Sequence, residues 1–345
     1  MKTERFQKIF ESAFDDPEAW RKWFFGCVAT DPNQIYLDTD AERASAALLM
    51  QPYVFLYQGR KLKSGYMSCI ATLPEHRSKG LASKVIKSAL RDARSRGYAF
   101  CELIPAEDHL YFFYDRLNFA TVFYTDCEHY TSLHSFNGGM GAVADTSYAL
   151  FHGLEMRQGC GVLHSEDDYR NILHDMELDG KAHHIAVLEG LEGAMLFATE
   201  KPRAVEVKCL LADDEKYAVA ALAELRRRVG EKTITVKRPP VSGNPALLRS
   251  YGMVRLTSPM TVLSALAGNH RELRLTIRLH DAELPENTGV YTIRRGECTF
   301  EEWHEGKFDL DVTPAVLASI LFSSNKAGEI FNIPTRRPYM ALMLD

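Results

Sequence analysis

The chain has 345 residues, 46% of them hydrophobic and 25% charged, with a formal net charge of -5. That length exceeds one ordinary core and predicts two or three domains of a globular protein. The mild acidity argues against a nucleic-acid binder, which carries a basic patch or stripe, and no run approaches the ~18 apolar residues of a membrane span.

The first residues lead into an amphipathic helix containing acidic side chains, not a signal peptide. Residues 6–14 and 17–25 read as helices and 34–37 as a short strand. Residues 46–56 and 65–73 read as a β-hairpin turning at Gly59-Arg60-Lys61. Leu81, Val85, Ile86, Ala89, Leu90 and Ala93 then recur at helical spacing, and Gly97 ends the pattern. Residues 98–104 read as a strand, 110–117 as a short aromatic helix and 119–124 as another strand. Asn137-Gly138-Gly139-Met140-Gly141 marks a domain boundary. Beyond it, residues 149–157 and 167–176 fit helix or mixed structure, and 184–189 with 194–199 a hairpin. Residues 205–211, 214–229 and 233–237 form a strand–helix–strand unit. Residues 273–279 alternate apolar and basic, as a half-buried strand does; 290–293 and 308–312 are further strands. Thr313-Pro314 opens a helix over 315–322, with Thr as N-cap and Pro at its first position.

The seven cysteines are odd in number, none spaced as Cys-x-x-Cys, and several lie in apolar runs. They read as reduced core thiols of a cytoplasmic protein. His183-His184 opens a strand without a helical i, i+4 partner, so no metal site is expected.

The junction from Ile70 to Ala82 carries the most information. A strand running through a Gly-containing loop into a helix points free N–H groups at one spot, and the helix dipole adds positive charge there. Such a junction suits a phosphate. It is neither a P-loop nor a dinucleotide fingerprint. Arg77-x-x-Gly80-x-Ala82 instead resembles the acetyl-CoA loop of the GCN5-related N-acetyltransferases (GNATs), Gln/Arg-x-x-Gly-x-Gly/Ala. The order strand, strand, helix, strand, helix, strand is also that of the GNAT fold. That fold usually begins with a further strand, and none is read here.

Pro74-Glu75-His76-Arg77-Ser78-Lys79-Gly80-Leu81 resembles the Pro-x-His-Arg-x-x-Gly-Leu loop of the Eis-like branch. Residues 252–255, 278–291 and 311–322 resemble the approach to that branch's last domain, its start and its hydrophobic helix. The resemblance implies a mixed α/β chain: a GNAT fold in two copies, then a sterol-carrier-protein-like (SCP2-like) α+β domain. The expected parts are a catalytic GNAT domain over 1–136, a degenerate copy over 142–265 and the sterol-carrier-like domain over 270–345. The second copy lacks the Gly loop. Its helix opens with Asp213-Asp214-Glu215, which suits the helix dipole but repels a pyrophosphate.

The resemblance also implies a chemistry: acetyl transfer from acetyl-CoA, a co-substrate, to a primary amine of an aminoglycoside, polyamine or lysine side chain. Arg77, Ser78, Lys79, Gly80, Leu81, Ala82 and Ser83 are expected to hold the pyrophosphate, and Ile70, Ala71 and Thr72 to pair by backbone with the pantetheine. Tyr114 matches the Tyr of Tyr-x-x-x-Gly-Phe/Tyr, whose hydroxyl protonates the leaving sulfur, with Asn118 in place of Gly. The other reading of Tyr114 is a core aromatic beside Tyr111, Phe112 and Phe113. The C-terminal carboxylate, here at Asp345, is the implied general base, with Glu102 and Glu107 as alternatives. Hexamers are known in the resembling family, so a homo-oligomer is an open expectation; nucleic acid is not an expected partner. The alternative to catalysis is a scaffold module that binds CoA or a lipid.

Overall fold

The computed structural model describes residues 1–241, 243–323, 326–334 and 336–344, with the side chain of Ala327 left aside. Asp345, the expected base, lies outside the described residues. The chain divides into two compact units, residues 1–122 with 252–337 and residues 123–251 with 338–344.

In the first unit, helices α1 (Lys2–Glu11) and α2 (Glu18–Trp23) precede the first strand, β1 (Ile35–Leu37). Helix α1 buries Phe6, Ile9 and Phe10, one face at i, i+3 and i+4. The Phe10 ring stacks with those of Trp20 and Phe24, whose own rings stack at 4.6 Å. Strands β2 (Ala46–Tyr57) and β3 (Arg60–Thr72) form the hairpin. It turns one residue earlier than expected, at Gln58-Gly59, because both residues take positive φ (50° and 72°) and make a tight two-residue turn. Arg60 and Lys61 already pair with Tyr57 and Leu56.

Strand β1 pairs antiparallel with β2, and β3 runs parallel to β4 (Phe100–Leu103). Residues 253–256 close the other side of β4. Helix α3 (Leu81–Ser95) covers one face of this sheet. Its Val85, Ile86, Ala89, Leu90 and Ala93 pack with Leu48, Met50, Met67, Cys101 and Leu103. Burial of each larger side chain contributes about 1.5–3 kcal/mol. Helix α4 (Asp108–Asp115) sends Tyr114 into the same core, and the turn after it places Asn118 at φ 61°. Asn takes that left-handed conformation at little cost, so the replacement of Gly leaves the turn intact.

The opposite face of the sheet carries Phe55 and Phe100, which meet Phe322 edge-on. Phe322 follows helix Pro314–Leu321, which Thr313 caps by accepting the Val316 N–H. That helix accompanies a four-stranded sheet ordered Glu297–Glu301, Gly289–Arg294, Leu275–Leu279, Leu310–Val312. Arg255 and Asp281, both fully buried, pair at 2.6 Å, and Asp281 also accepts from the Leu284 N–H and the Asn287 amide. Among the elements without a counterpart in the sequence expectations, two show why they were missed. Strand Glu297–Glu301 is a polar sheet edge without an apolar period, and helix Pro259–Asn269 buries residues around most of its circumference, so no amphipathic stripe marks it.

The second unit is an α/β layer. From residues 123–130 of strand Ala120–Tyr130, the order continues through Thr233–Arg238, Ala204–Ala212, Glu192–Glu200, Lys181–Glu189 and Ala142–Ala144. Helix Glu215–Val229 packs on it through Tyr217, Ala218, Ala221, Leu222 and Leu225. His183 is spent on an ion pair with Glu200 at 2.6 Å. Residues 338–344 lie buried in this unit. Gly161 admits them: a Cβ there would sit 2.4 Å from the Tyr339 carbonyl oxygen, which instead accepts the Val162 N–H.

Candidate active site

Strands β3 and β4 pair only from Ser64–Phe100 to Tyr66–Glu102. Beyond that point β3 runs on to Thr72, paired with β2 alone among the described residues, while β4 ends at Leu103 beside Met253. The two strands therefore diverge from a vertex at Tyr66–Glu102. Ile70, Ala71 and Thr72 edge the opening, and their free side can take a further strand-like partner. A bulge sits in this stretch. Ala47 pairs with Ala71 but Leu49 with Ser68, so β3 carries an extra residue, and Cys69 takes φ 51° to accommodate it.

Past Thr72 the chain makes a short 3-10 turn (Pro74–His76) and enters α3 through Arg77, Ser78, Lys79 and Gly80. Ser78 and Gly80 have positive φ (61° and 74°), which curls the backbone into a concave loop. No side chain caps α3. The N–H groups of Leu81, Ala82 and Ser83 thus lack intrahelical acceptors and open outward from the helix's positive end. A Cβ on Gly80 would meet nothing within 4 Å, so the ground above the loop is clear. The basic side chains lean on the loop's own backbone: Arg77 Nε donates to the Thr72 carbonyl (3.3 Å) and Lys79 Nζ to that of Glu75 (3.0 Å). The ten expected cofactor residues therefore form one continuous rim, three on the open strand edge and seven on the loop and first helical turn.

Tyr114 is 6% exposed and packs edge-on against Phe113 and Phe119. Burial pushes its phenol up to about 12, so the hydroxyl holds its proton at neutral pH. It is both a core aromatic and a protonated phenol, and the two sequence readings do not exclude each other. The alternative bases differ in surroundings. Glu107 is solvated and pairs with His109 at 3.2 Å, both side chains about 70% exposed. Glu102 is fully buried at the strand vertex. The sequence does not reveal the vertex or the bulge, because both depend on which strand partners stop. A Glu inside the apolar run Phe100-Cys101-Glu102-Leu103 was the available signal.

Diverging parallel strands feeding an uncapped helix through a positive-φ glycine decide the architecture. Residues 1–122 have the GNAT fold. Residues 2–122, about a third of the chain, match the family model described as the acetyltransferase (GNAT) domain. Over the whole chain the fold is similar to solved structures at low identity. One is Eis1 from Mycobacterium abscessus, with TM-score 0.73, 14% identity, 100% of this chain and 97% of that one covered. Another is a GCN5-related N-acetyltransferase from Anabaena variabilis, with TM-score 0.77, 12% identity and 98% and 96% covered. A third, from Kribbella flavida, has TM-score 0.73, 14% identity and 100% and 96% covered. No curated protein sequence matches the chain.

The second unit has a junction at the corresponding place in its own strand–helix–strand run. Strand Ala204–Ala212 enters helix Glu215–Val229 through Asp213-Asp214 alone. Asp214 accepts the Lys216 N–H at 2.9 Å and so caps the helix. Asp213 accepts from the Gly193 N–H and from Arg157. Glu215 is paired with Arg238 at 2.6 Å. A cavity of about 390 Å³ lies beside these carboxylates, lined also by Gln158, Leu210, Ala218 and Val241. Carboxylates stand here where the GNAT domain offers open N–H groups.

Proposed function

We propose that this protein is an acetyl-CoA-dependent N-acetyltransferase that acts on a primary amine. The observation that carries the reading is the open β3 edge running straight into the uncapped, positive-φ loop before α3. Ile70, Ala71 and Thr72 would take the pantetheine amides, and the loop from Arg77 to Ser83 the pyrophosphate, mainly by backbone N–H groups. The acceptor amine, once deprotonated, attacks the thioester carbonyl. A backbone N–H of the bulged strand stabilises the developing oxyanion, and Tyr114, protonated at neutral pH, gives its proton to the departing thiolate. The implied base is the terminal carboxylate at Asp345. An aminoglycoside, a polyamine and a lysine side chain are the acceptor classes in view.

We keep the division into a catalytic GNAT domain (1–136), a degenerate copy (142–265) and a sterol-carrier-like domain (270–345) as a proposal about ancestry. The strand–helix–strand run of 204–238, with its carboxylate-filled junction, supports the degenerate copy. Homo-oligomerisation and a cytoplasmic location stand as proposals on the family resemblance and on the odd number of cysteines, none spaced as Cys-x-x-Cys. The deciding experiment is calorimetric titration with acetyl-CoA of the native chain and of Gly80→Glu, whose carboxylate would occupy the clear ground above the loop. Micromolar binding that the variant loses supports the enzyme. A native chain that does not bind would transfer the reading to a scaffold role.

A further inference from the structure

The second unit carries a nucleophile that acetyl transfer does not use. Cys127 and His129 stand two apart on strand Ala120–Tyr130, and residues two apart share one face of a strand. Glu128 and Tyr130 take the other face. Glu128 pairs with Arg238 at 2.7 Å, and Tyr130 packs into the core beneath helix Glu215–Val229. Cys127 and His129 therefore point away from that helix. Cys127 Sγ lies 3.6 Å from His129 Nε2, and His129 Nδ1 lies 3.1 Å from the Thr235 hydroxyl on the neighbouring strand. His129 is exposed, and Cys127 and Thr235 are half-buried. Backbone hydrogen bonds fix the group from both sides: His129 is in register with Thr235, and the Cys127 N–H donates to the Leu247 carbonyl at 2.9 Å.

A thiol, an imidazole within reach of it and a third group that orients the imidazole are the parts of an activated nucleophile. With the Nδ1 proton given to Thr235, Nε2 turns its lone pair to the sulfur and can take the thiol proton. Packing does not require this arrangement, because an exposed imidazole can satisfy itself with water. Lys237, in register with Cys127, is drawn to Glu206 at 2.7 Å, which leaves His129 as the base. Among the described residues no third His, Cys, Asp or Glu joins the pair to make a metal set.

The remaining thiols narrow the reagent. All seven cysteines are free, and the other two of this unit, Cys160 and Cys209, are buried. The Cys209 sulfur accepts the Tyr339 hydroxyl at 3.5 Å, and burial pushes its thiol up to about 12. A sulfur partner for Cys127 must therefore come from solution, and the open sheet face admits a small one.

We propose that Cys127 is a reversible thiolation site, at which a low-molecular-weight disulfide forms a mixed disulfide with His129 as the base and Thr235 as the residue that positions it. The thiol proton passes to His129 Nε2 as the Cys127 sulfur attacks one sulfur of the disulfide. The new S–S bond forms, the reagent's own S–S bond breaks, and the departing thiolate takes the proton from the imidazolium. The Cys127 sulfur is oxidised and the departing sulfur is reduced to a thiol, so no further oxidant enters. An added thiol reverses the exchange. The site stands apart from the acetyltransferase reading and does not rest on it.

The test uses the full-length protein with oxidised glutathione as the probe, and mass mapping follows each cysteine with time. Cys27, an exposed thiol of the first unit, is the internal reference. Cys127 is expected to react about 10-fold faster than Cys27, although it is less exposed. His129→Gln should slow Cys127 by about 10-fold and leave the Cys27 rate unmoved. Thr235→Val should slow Cys127 by about threefold, and Thr235→Ser, which keeps the hydroxyl, should restore the native rate. A Cys127 no faster than Cys27 would overturn the proposal within the native chain, where no variant has to fold. A His129→Gln rate within about twofold of native would overturn it as well, and so would a covalent dimer of the chain in place of the mixed disulfide.

Discussion

Two of the strand-to-helix junctions, those that lead into α3 and into helix Glu215–Val229, treat the helix end in opposite ways. In the GNAT domain, β3 reaches α3 across residues 73–80, with Ser78 and Gly80 at positive φ and no side chain over the helix end. In the second unit, two aspartates make the connection and spend their carboxylates on the helix's own N–H groups, on Gly193 and on Arg157. Both solutions satisfy the positive end of a helix. The first leaves its donors for a ligand; the second uses them up. A helix N-terminus is thus a site only when the sequence withholds its cap.

Four tests would break or sharpen this contrast, in descending order of expected effect. Gly80→Glu should weaken acetyl-CoA binding by 100-fold or more, whereas Asp213→Gly with Asp214→Gly should create no binding in the second unit; calorimetry on each reads this out. Next, Tyr114→Phe should lower kcat by about 10- to 100-fold, in line with loss of one general acid, while the acetyl-CoA Kd stays within twofold. Unchanged turnover would leave Tyr114 as a core aromatic only.

The third is a pH effect confined to the GNAT domain. Burial pushes the Glu102 carboxyl up to about 8 in the folded protein, above its unfolded value. The folded state therefore holds a proton that the unfolded state has released, and folding loses stability as pH rises through that interval. The Glu102→Gln protein should gain on the native chain between about pH 5 and 8 in urea unfolding, given unfolded carboxyls near 4.3. A constant difference would mean that the carboxyl titrates normally. The smallest effect belongs to Asp214→Ala, which removes the cap of helix Glu215–Val229. It should cost about 1 kcal/mol of stability without touching turnover, a result checked by thermal unfolding beside the activity assay.

Much of the fold was legible in the sequence because its signals are local. The apolar spacing from Leu81 to Ala93, the Thr313-Pro314 cap and the Arg77–Ala82 wording each depend on a few neighbouring residues. Helix Pro259–Asn269 escaped because it is apolar nearly all round, and strand Glu297–Glu301 because an exposed edge needs no apolar alternation. The buried Arg255–Asp281 pair escaped for another reason: its partners lie far apart in the chain, and only folding shows that each charge is compensated.

The sequence by itself determined the open loop before α3, since a left-handed glycine and an uncapped first turn are properties of consecutive residues. It also determined that the second junction is closed, because aspartates at a helix start cap it wherever the helix lies. The tertiary structure decided where the strands part, and with that the vertex at Tyr66–Glu102. It also decided that Glu102 is fully buried and that burial pushes the Tyr114 phenol up to about 12. Those properties belong to the surroundings, because a carboxyl or phenol takes its charge state from the dielectric and the donors packed around it, and residues far apart in sequence supply both.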